Sequence, residues 1–408
     1  MVRRRHLKTH AAKDNGRPPK NATAGAGRYC GKLPAVTKGQ WQEAQTQREQ
    51  LEDSLVIARV GQGQPYQRPQ AAFATASHAQ SSIVPSVTMV STIPCRVRIM
   101  RASMTDTIPF ADRPDLPVLL KAASLPDEDV RIVTDFARDG YVVIDLKIPN
   151  FETLADAIIE KLAPVYASGH RIQDAWRISG DVKRLACNER VLRVLDLLYG
   201  RKAFPFQTLN FDVGTQQATH SDTIHFHAFP HHFMCGVWTA LEDTDENNGP
   251  LHYYPGSQKL PILTLADAGV RGSEKPGSYD NYEQHYEPMI KRAVNTRGLS
   301  SVEAYLKRGQ ALIWAANLLH GGSPIRQPGR TRHSQVTHYY FEDCVYYSPL
   351  WSDPPINKIY YRSPLNIATG KPAATAYCGE PFVPPATVRV KEFAKNMLRY
   401  AHSAKART

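Results

Sequence analysis

The sequence predicts a mainly β protein with flanking helices (α+β) and a jelly-roll or cupin-like core. Two observations carry this. Within the patterned part of the chain, apolar residues at helical spacing fall before residue 200. From Phe204 onward, short strand-like runs alternate with turns rich in Gly, Pro, Asn and Asp, the spacing of a β-sandwich or barrel.

The first 103 residues differ from the rest. They are rich in Ala, Gln, Pro, Ser and Thr and hold 16 Lys or Arg against 5 Asp or Glu. The remaining residues hold 34 against 33, so nearly all of the formal net charge of +12 lies in this leading region. Such a composition buries too little apolar area to offset chain entropy. Residues 1–103 therefore read as a basic, disordered N-terminal extension, with one candidate helix at Gln40–Val60. Met100 and Met104 precede the first patterned segment, and either is a candidate natural start. Residues 104–408 read as the catalytic domain, patterned from near Asp106.

The basic charge of a tail says little about the chemistry of a nearly neutral domain. The tail has few aromatic residues to stack bases, so no nucleic-acid partner is expected. No apolar run reaches the ~18 residues of a membrane span, and no membrane association is expected. The six cysteines are spread widely without a C-x-x-C pair, which predicts reduced thiols in a cytoplasmic protein rather than a zinc site or a disulfide framework.

Asp127-Glu128-Asp129 opens a helix to about Arg138, because acids favour the positive end of the helix dipole, and Gly140 ends it. Tyr141–Ile144 reads as a strand. Phe151–Ser168 and Glu189–Tyr199 read as helices, the latter closed by Gly200. Strands are expected at Gln207–Val213, Phe233–Leu241, Ala311–Trp314 and Ser334–Phe341, with a firm turn at Asp245–Pro250. Residues 264–300 are polar and irregular and read as an insertion, of the kind that often serves as a lid.

The chemistry lies in Thr219-His220-Ser221-Asp222. On a strand, residues two apart share a face, so His220 and Asp222 project together and can bind one metal. A hundred or so residues later, His320 stands at a strand end before Gly321 and Gly322, glycines that permit close approach of backbone and cofactor. Two His and one carboxylate leave three open positions, the arrangement of Fe(II) oxygenases. Two of those positions suit chelation by 2-oxoglutarate, and the last suits O2. Arg332 and Ser334 would share a strand face, and a guanidinium beside a hydroxyl matches the distal carboxylate of 2-oxoglutarate.

With these residues the chain resembles the phytanoyl-CoA dioxygenase family, which includes ectoine hydroxylase, over roughly residues 125–345. The resemblance rests on His220-Ser221-Asp222, Asn248-Gly249-Pro250-Leu251, Pro255-Gly256-Ser257, Gly309-Gln310-Ala311-Leu312, His320-Gly321-Gly322-Ser323 and Arg332. It implies a double-stranded β-helix, Fe(II) and 2-oxoglutarate as cofactor and co-substrate, His220, Asp222 and His320 as metal ligands, and Arg332 as the co-substrate anchor. Gln258 stands where the family often has His. The implied reaction is hydroxylation of a small-molecule metabolite with O2, releasing succinate and CO2. The presence of Asp222 disfavours halogenation.

Further candidates surround this set. Ser323 is a second candidate for the distal carboxylate. Gln207, with Asn210 and Gln216 as alternatives, is a candidate partner of the co-substrate. His225 and Phe226 are possible substrate contacts, although His225 and His227 lie an odd number of positions from His220 and would face away on an unbroken strand. His231 and His232 read as loop residues. Arg326 and Arg330 compete with Arg332, and Phe226, Trp238 and Trp314 read as core rather than pocket. The rival reading is a cupin-like metal-binding or isomerase domain without 2-oxoglutarate turnover, which leaves Arg332 without a role.

Overall fold

A computed structural model of the chain describes residues 107–383 apart from 168 and 273–276. The expected N-terminal extension 1–103, the helix at 40–60, Met100, Met104, Cys30 and Cys95 lie outside the described residues.

The helices form where the periodicity places them. Asp127–Asp139 carries its acids in the first turn and stops at Gly140, which takes the left-handed conformation at φ 80°. The helix Phe151–Tyr166 buries Leu154, Ala155, Ile158 and Leu162. It ends at Tyr166, short of the expected Ser168, and position 168 lies outside the described residues. The Asn188 side chain accepts from the Val191 N–H to start Glu189–Tyr199, and Gly200 closes that helix. Leu116–Ala123 and Gly180–Ala186 add two short helices.

The strands, in chain order, begin with β1 (Tyr141–Asp145), β2 (Arg171–Gln173), β3 (Ala203–Phe211) and β4 (His227–Phe229). Next come β5 (Met234–Ala240), β6 (Leu251–Tyr253), β7 (Val302–Ala304) and β8 (Gln310–Ala315). The last of the core are β9 (His320–Gly322), β10 (Ser334–Phe341) and β11 (Val345–Tyr347). Six strands make an antiparallel major sheet in the order β1-β8-β5-β10-β3-β2. Three make a minor sheet, β7-β6-β9. The two face each other as a jelly roll, the core of a double-stranded β-helix. Leu209, Trp238, Leu312, Trp314 and Val336 of the major sheet pack there with Tyr253 and Ala304 of the minor one.

The opposite face of the major sheet is covered by the helices. Val237, Ile313, Tyr339 and Phe341 join Ile132, Phe136, Ile158, Leu162, Val194 and Leu198 in one core. Both faces of β3, β5 and β10 are consequently buried. That is why these strands show no clean alternation of apolar and polar residues: Gln207, Asn210, Gln335 and His338 are buried along with their apolar neighbours.

Two expectations need correction. The strand expected at Gln207–Val213 runs from Ala203 to Phe211. Pro205 does not break it, because the pairing with β10 shifts there: His338 faces Gln207 and Tyr339 faces Pro205. A bulge tolerates a residue with no N–H to donate. The insertion 264–300 is also less irregular than expected. Tyr282–Tyr286 forms a π-helical turn that runs into the helix Glu287–Thr296. Met289, Ile290 and Val294 of this helix pack with Ile224, Leu319 and Leu350.

Candidate metal centre and its cavity

The strand expected through His220 and Asp222 is broken. His220 makes only an isolated bridge with His320. Ser221 stays extended, at φ −112° and ψ 137°, and its hydroxyl accepts from the Thr223 N–H, which starts a 3-10 turn at Asp222. Local Ser bonding of this kind competes with the sheet. The Ser221 hydroxyl also donates to the Ala316 carbonyl at 2.9 Å, tying this turn to the segment that leads to His320.

The two side chains nevertheless converge, and His320 joins them. His220 Nε2 lies 3.8 Å and His320 Nε2 3.9 Å from Asp222 Oδ1. One donor atom from each of the three lies within 4.8 Å of the others, and all three residues are buried. The Nδ1 of His220 faces the Ala218 carbonyl at 2.9 Å, and that of His320 faces the Leu318 carbonyl at 3.0 Å. These contacts select the tautomer with the proton on Nδ1, leaving each Nε2 lone pair toward the centre.

The charge state suits a metal. Burial, with His320 alongside, pushes the His220 imidazole down to about 3, so it is neutral at physiological pH. Burial raises the Asp222 carboxyl, but His320, His338, His220 and the Trp314 indole outweigh it and hold the group down at about 2. Trp314 Nε1 donates to Asp222 Oδ2 at 2.8 Å. Its ring fits because Gly236 is its cross-strand neighbour, where a Cβ would collide with the indole.

Side chains from β3, β10, β5 and β8 line the inner face of the major sheet and, with the centre, enclose a cavity of about 350 Å³. Gln207 lies on this wall, and its Oε1 accepts from His338 Nδ1 at 3.0 Å in the matching tautomer. Arg332, just before β10, is 1% exposed. Its Nη1 donates to the Gly249 carbonyl at 2.7 Å, and its guanidinium lies 5.4 Å from the centre of the Trp238 ring. Its Nε has no partner, and no described carboxylate pairs with it. Burial draws it down to about 10, partly offset by Glu242, so it remains a cation at neutral pH.

The motif residues support this wall from behind. The Asn248 amide donates to the Asp243 and Thr331 carbonyls, which anchors the approach to Arg332. Ser257 accepts from the Leu319 N–H at 2.9 Å beside His320. Gln258, in place of the family's His, donates to the Ala137 and Arg138 carbonyls and holds the end of a helix.

Several candidates fall elsewhere than expected. Ser323 does not line the cavity; its hydroxyl bonds Glu303. Ser334 is fully buried on the strand face shared with Arg332, and its hydroxyl has no partner. Asn210 turns away to bond Gln335, and Gln216 accepts from the Ile325 N–H. Arg326 pairs with Glu303 and Arg330 with Asp245. Gly321 and Gly322 permit a close approach of residues 215–217 and, at Gly321, of the His252 ring, and Gly321 also lines the cavity. Trp238 and Trp314, expected in the core, line the cavity, and so does Phe226, expected both as core and as a possible substrate contact. So does His225, because the 3-10 turn breaks the parity that would have turned it away; His227 lies instead against His231, ring centres 4.8 Å apart.

Cavity residues that belong to no motif include His338, Arg171, Arg362 and Tyr282. His338 Nε2 lies 3.7 Å from Asp222 Oδ2. Period-two reading onward from Arg332 through Ser334 and Val336 reaches His338. Nothing local marks Arg362.

Residues 152–334 match the family model of phytanoyl-CoA dioxygenase. Peroxisomal phytanoyl-CoA dioxygenase of Rattus norvegicus is 25% identical over 223 residues, which is 50% of this chain and 59% of that protein. The chain thus spans less than two thirds of that relative's length. Among solved structures, EctD from S. alaskensis with bound Fe is 19% identical, covering 53% of this chain and 77% of its own, at a TM-score of 0.40. The non-heme alpha ketoglutarate dependent carbocyclase SnoK from nogalamycin biosynthesis is 16% identical, covering 60% and 95%, at a TM-score of 0.44.

Proposed function

We propose that this chain, which belongs over residues 152–334 to the phytanoyl-CoA dioxygenase family, is an Fe(II)- and 2-oxoglutarate-dependent dioxygenase hydroxylating a small-molecule metabolite. The observation that carries the reading is Arg332, a buried cation without an anion on the wall of the cavity that holds the three converging ligands. Leaving a buried charge unpaired is costly, and a ligand carboxylate would offset that cost.

His220, Asp222 and His320 would hold the iron. The donor set fits: two imidazoles and one carboxylate, spaced within the ~4 Å that two ligands of one ion can span. Bound there, Fe(II) with 2-oxoglutarate and O2 supplies C–H hydroxylation coupled to loss of CO2 and formation of succinate. The chain does the positioning. Arg332 grips the distal carboxylate through parallel N–H donors. Ser334, on the same strand face, donates its unpartnered hydroxyl. Gln207, bonded to His338, stands further along the same wall. Trp314 fixes the Asp222 carboxylate, and Phe226, Trp238 and Tyr282 exclude water from the reacting centre.

The catalytic unit is taken as residues 104–408, with 1–103 as an extension. The proposed compartment is the cytoplasm, a reducing environment in keeping with the free Cys187, Cys235, Cys344 and Cys378. No described helix is long and apolar enough to cross a membrane.

The test is succinate formation from 2-oxoglutarate in the presence of fractionated metabolite extracts. Fe(II)- and O2-dependent succinate that disappears in His320→Ala is the expected result. Folded protein that gives no more succinate than this variant with any fraction contradicts the proposal.

A further inference from the structure

With Arg332 assigned to the co-substrate, two cations remain on the cavity walls, Arg171 and Arg362. Arg171 sits on the edge strand β2, opposite Phe211. Strand alternation puts Arg171 and Gln173 on the face of Leu209 and Phe211, and all four line the cavity. Arg362 arrives from the opposite direction, in the segment after β11, beyond the residues of the family match. Its backbone N–H donates to the Tyr346 carbonyl at 2.8 Å, which pins it to that strand. Its guanidinium lies 4.7 Å from the centre of the Phe226 ring and 6.0 Å from that of Phe206. The Nε is buried and has no hydrogen-bond partner.

Among the described residues neither guanidinium has a carboxylate partner, although surface arginines of this chain such as Arg138, Arg190 and Arg308 do. Both line the same cavity as the His225 and His338 rings. The formal charges of the cavity point the same way. Fe(II) and doubly charged 2-oxoglutarate would be balanced by Asp222 and Arg332. On the remaining walls Arg171 and Arg362 face a single acid, Glu283. An excess of positive charge lining a cavity draws in an anion.

We propose that Arg171 and Arg362 form an oxyanion subsite that binds a carboxylate or phosphate on the substrate. Naming the bound molecule as substrate rests on the oxygenase reading; the anion site itself does not. The subsite would hold the charged end of the molecule against Phe226, with the rest directed to the centre. A metabolite acid or a phosphate ester is then preferred over its uncharged analogue, because only an anion offsets the partial burial of the Arg362 guanidinium, whose Nε has no partner, while the exposed Arg171 adds a second charge from the cavity edge.

The test is anaerobic calorimetry on the full chain loaded with Fe(II) and saturating 2-oxoglutarate, so that Arg332 is already engaged. Benzoate and phenyl phosphate are the probes and benzamide is the uncharged comparator. The anions are expected to bind at least ~10-fold more tightly than benzamide, the better of the two showing which oxyanion the site prefers. Arg171→Gln and Arg362→Gln should each weaken the anions about 10-fold or more while leaving benzamide and the visible band of the iron–2-oxoglutarate complex in place. Arg171 lies on an exposed edge strand, so its variant keeps the test open should Arg362→Gln misfold. Equal binding of benzoate and benzamide, or anion binding that ignores both substitutions while the band is present, overturns the subsite and leaves the oxygenase reading standing. Arginine-dependent anion binding in a protein that never gives the band supports the subsite and overturns that reading.

Discussion

His220 and His320 exchange both of their backbone hydrogen bonds, N–H to carbonyl at 2.9 Å in each direction, and their ring centres lie 4.5 Å apart. The backbones of two proposed metal ligands far apart in sequence are thereby held to each other. The Nδ1 contacts of both rings with the Ala218 and Leu318 carbonyls, and the Trp314 bond to Asp222, then orient the three side chains. A centre built this way is organised before iron arrives, which lowers the cost of binding.

The first prediction follows from that pairing. A Cβ at Gly322 would sit 2.7 Å from the Gln216 nitrogen and 2.8 Å from Thr215 Oγ1. Gly322→Ala must push β9 off this backbone and loosen the His220–His320 pair. We expect a stability loss of ~1–3 kcal/mol and weaker Fe(II) binding, although no ligand is changed. Denaturant titration with a parallel iron-binding assay checks it; full iron affinity in the variant would show that the pair does not organise the centre.

Trp314→Phe removes the indole N–H that Asp222 accepts while keeping an aromatic ring against Gly236. Loss of a partner that orients a metal ligand costs roughly 10–100-fold in metal affinity or turnover. An iron titration of this variant should show that loss with little change in melting temperature.

Arg332→Met separates binding from stability. The substitution removes a buried, unpaired charge, so the ligand-free protein should be as stable as the parent or more so. In the presence of metal, 2-oxoglutarate should raise the melting temperature of the parent and not of the variant, since a ligand stabilises only by binding the native state. An equal rise in both would place the co-substrate away from Arg332.

Acid should unfold the metal-free protein early. His220 is held down at about 3, and His225 and His338 at about 4, chiefly by burial. The folded chain therefore binds fewer protons than the unfolded one below ~6.5, where free imidazole titrates. Stability is full above that pH and falls as pH drops, with a limiting slope of up to ~4 kcal/mol per pH unit when all three act. Asp222, held at about 2, adds to the loss only below ~4. Denaturation midpoints between pH 7.5 and 5 check this; a flat profile would contradict the buried neutral state of these rings.

Much of this was readable in the residues, for reasons that differ by element. The helices Asp127–Asp139 and Glu189–Tyr199 announce themselves through acids in the first turn and a glycine at the end, which are local effects. His220, Asp222, His320 and Arg332 are legible because their neighbours, Asn248, Ser257 and the glycines, serve backbone needs that leave a pattern. The path between His220 and Asp222 was misread as a strand, because a hydroxyl bond at Ser221 competes with the ladder. The aromatic wall and Arg362 were missed because their roles arise from packing across the fold. A tryptophan is apolar whether it faces a core or a cavity, and Arg362 enters only through the docking of residues 345–362 on β4.

The most direct measurement is an anaerobic titration of the metal-free protein with Fe(II) and then 2-oxoglutarate, followed by visible absorption. The account predicts a weak charge-transfer band that appears on adding 2-oxoglutarate, is lost in His220→Ala, and needs a higher 2-oxoglutarate concentration in Arg332→Met. Folded protein that binds iron at His220, Asp222 and His320 yet gives no band at any concentration would contradict it, and a metal-binding domain without 2-oxoglutarate turnover would take its place.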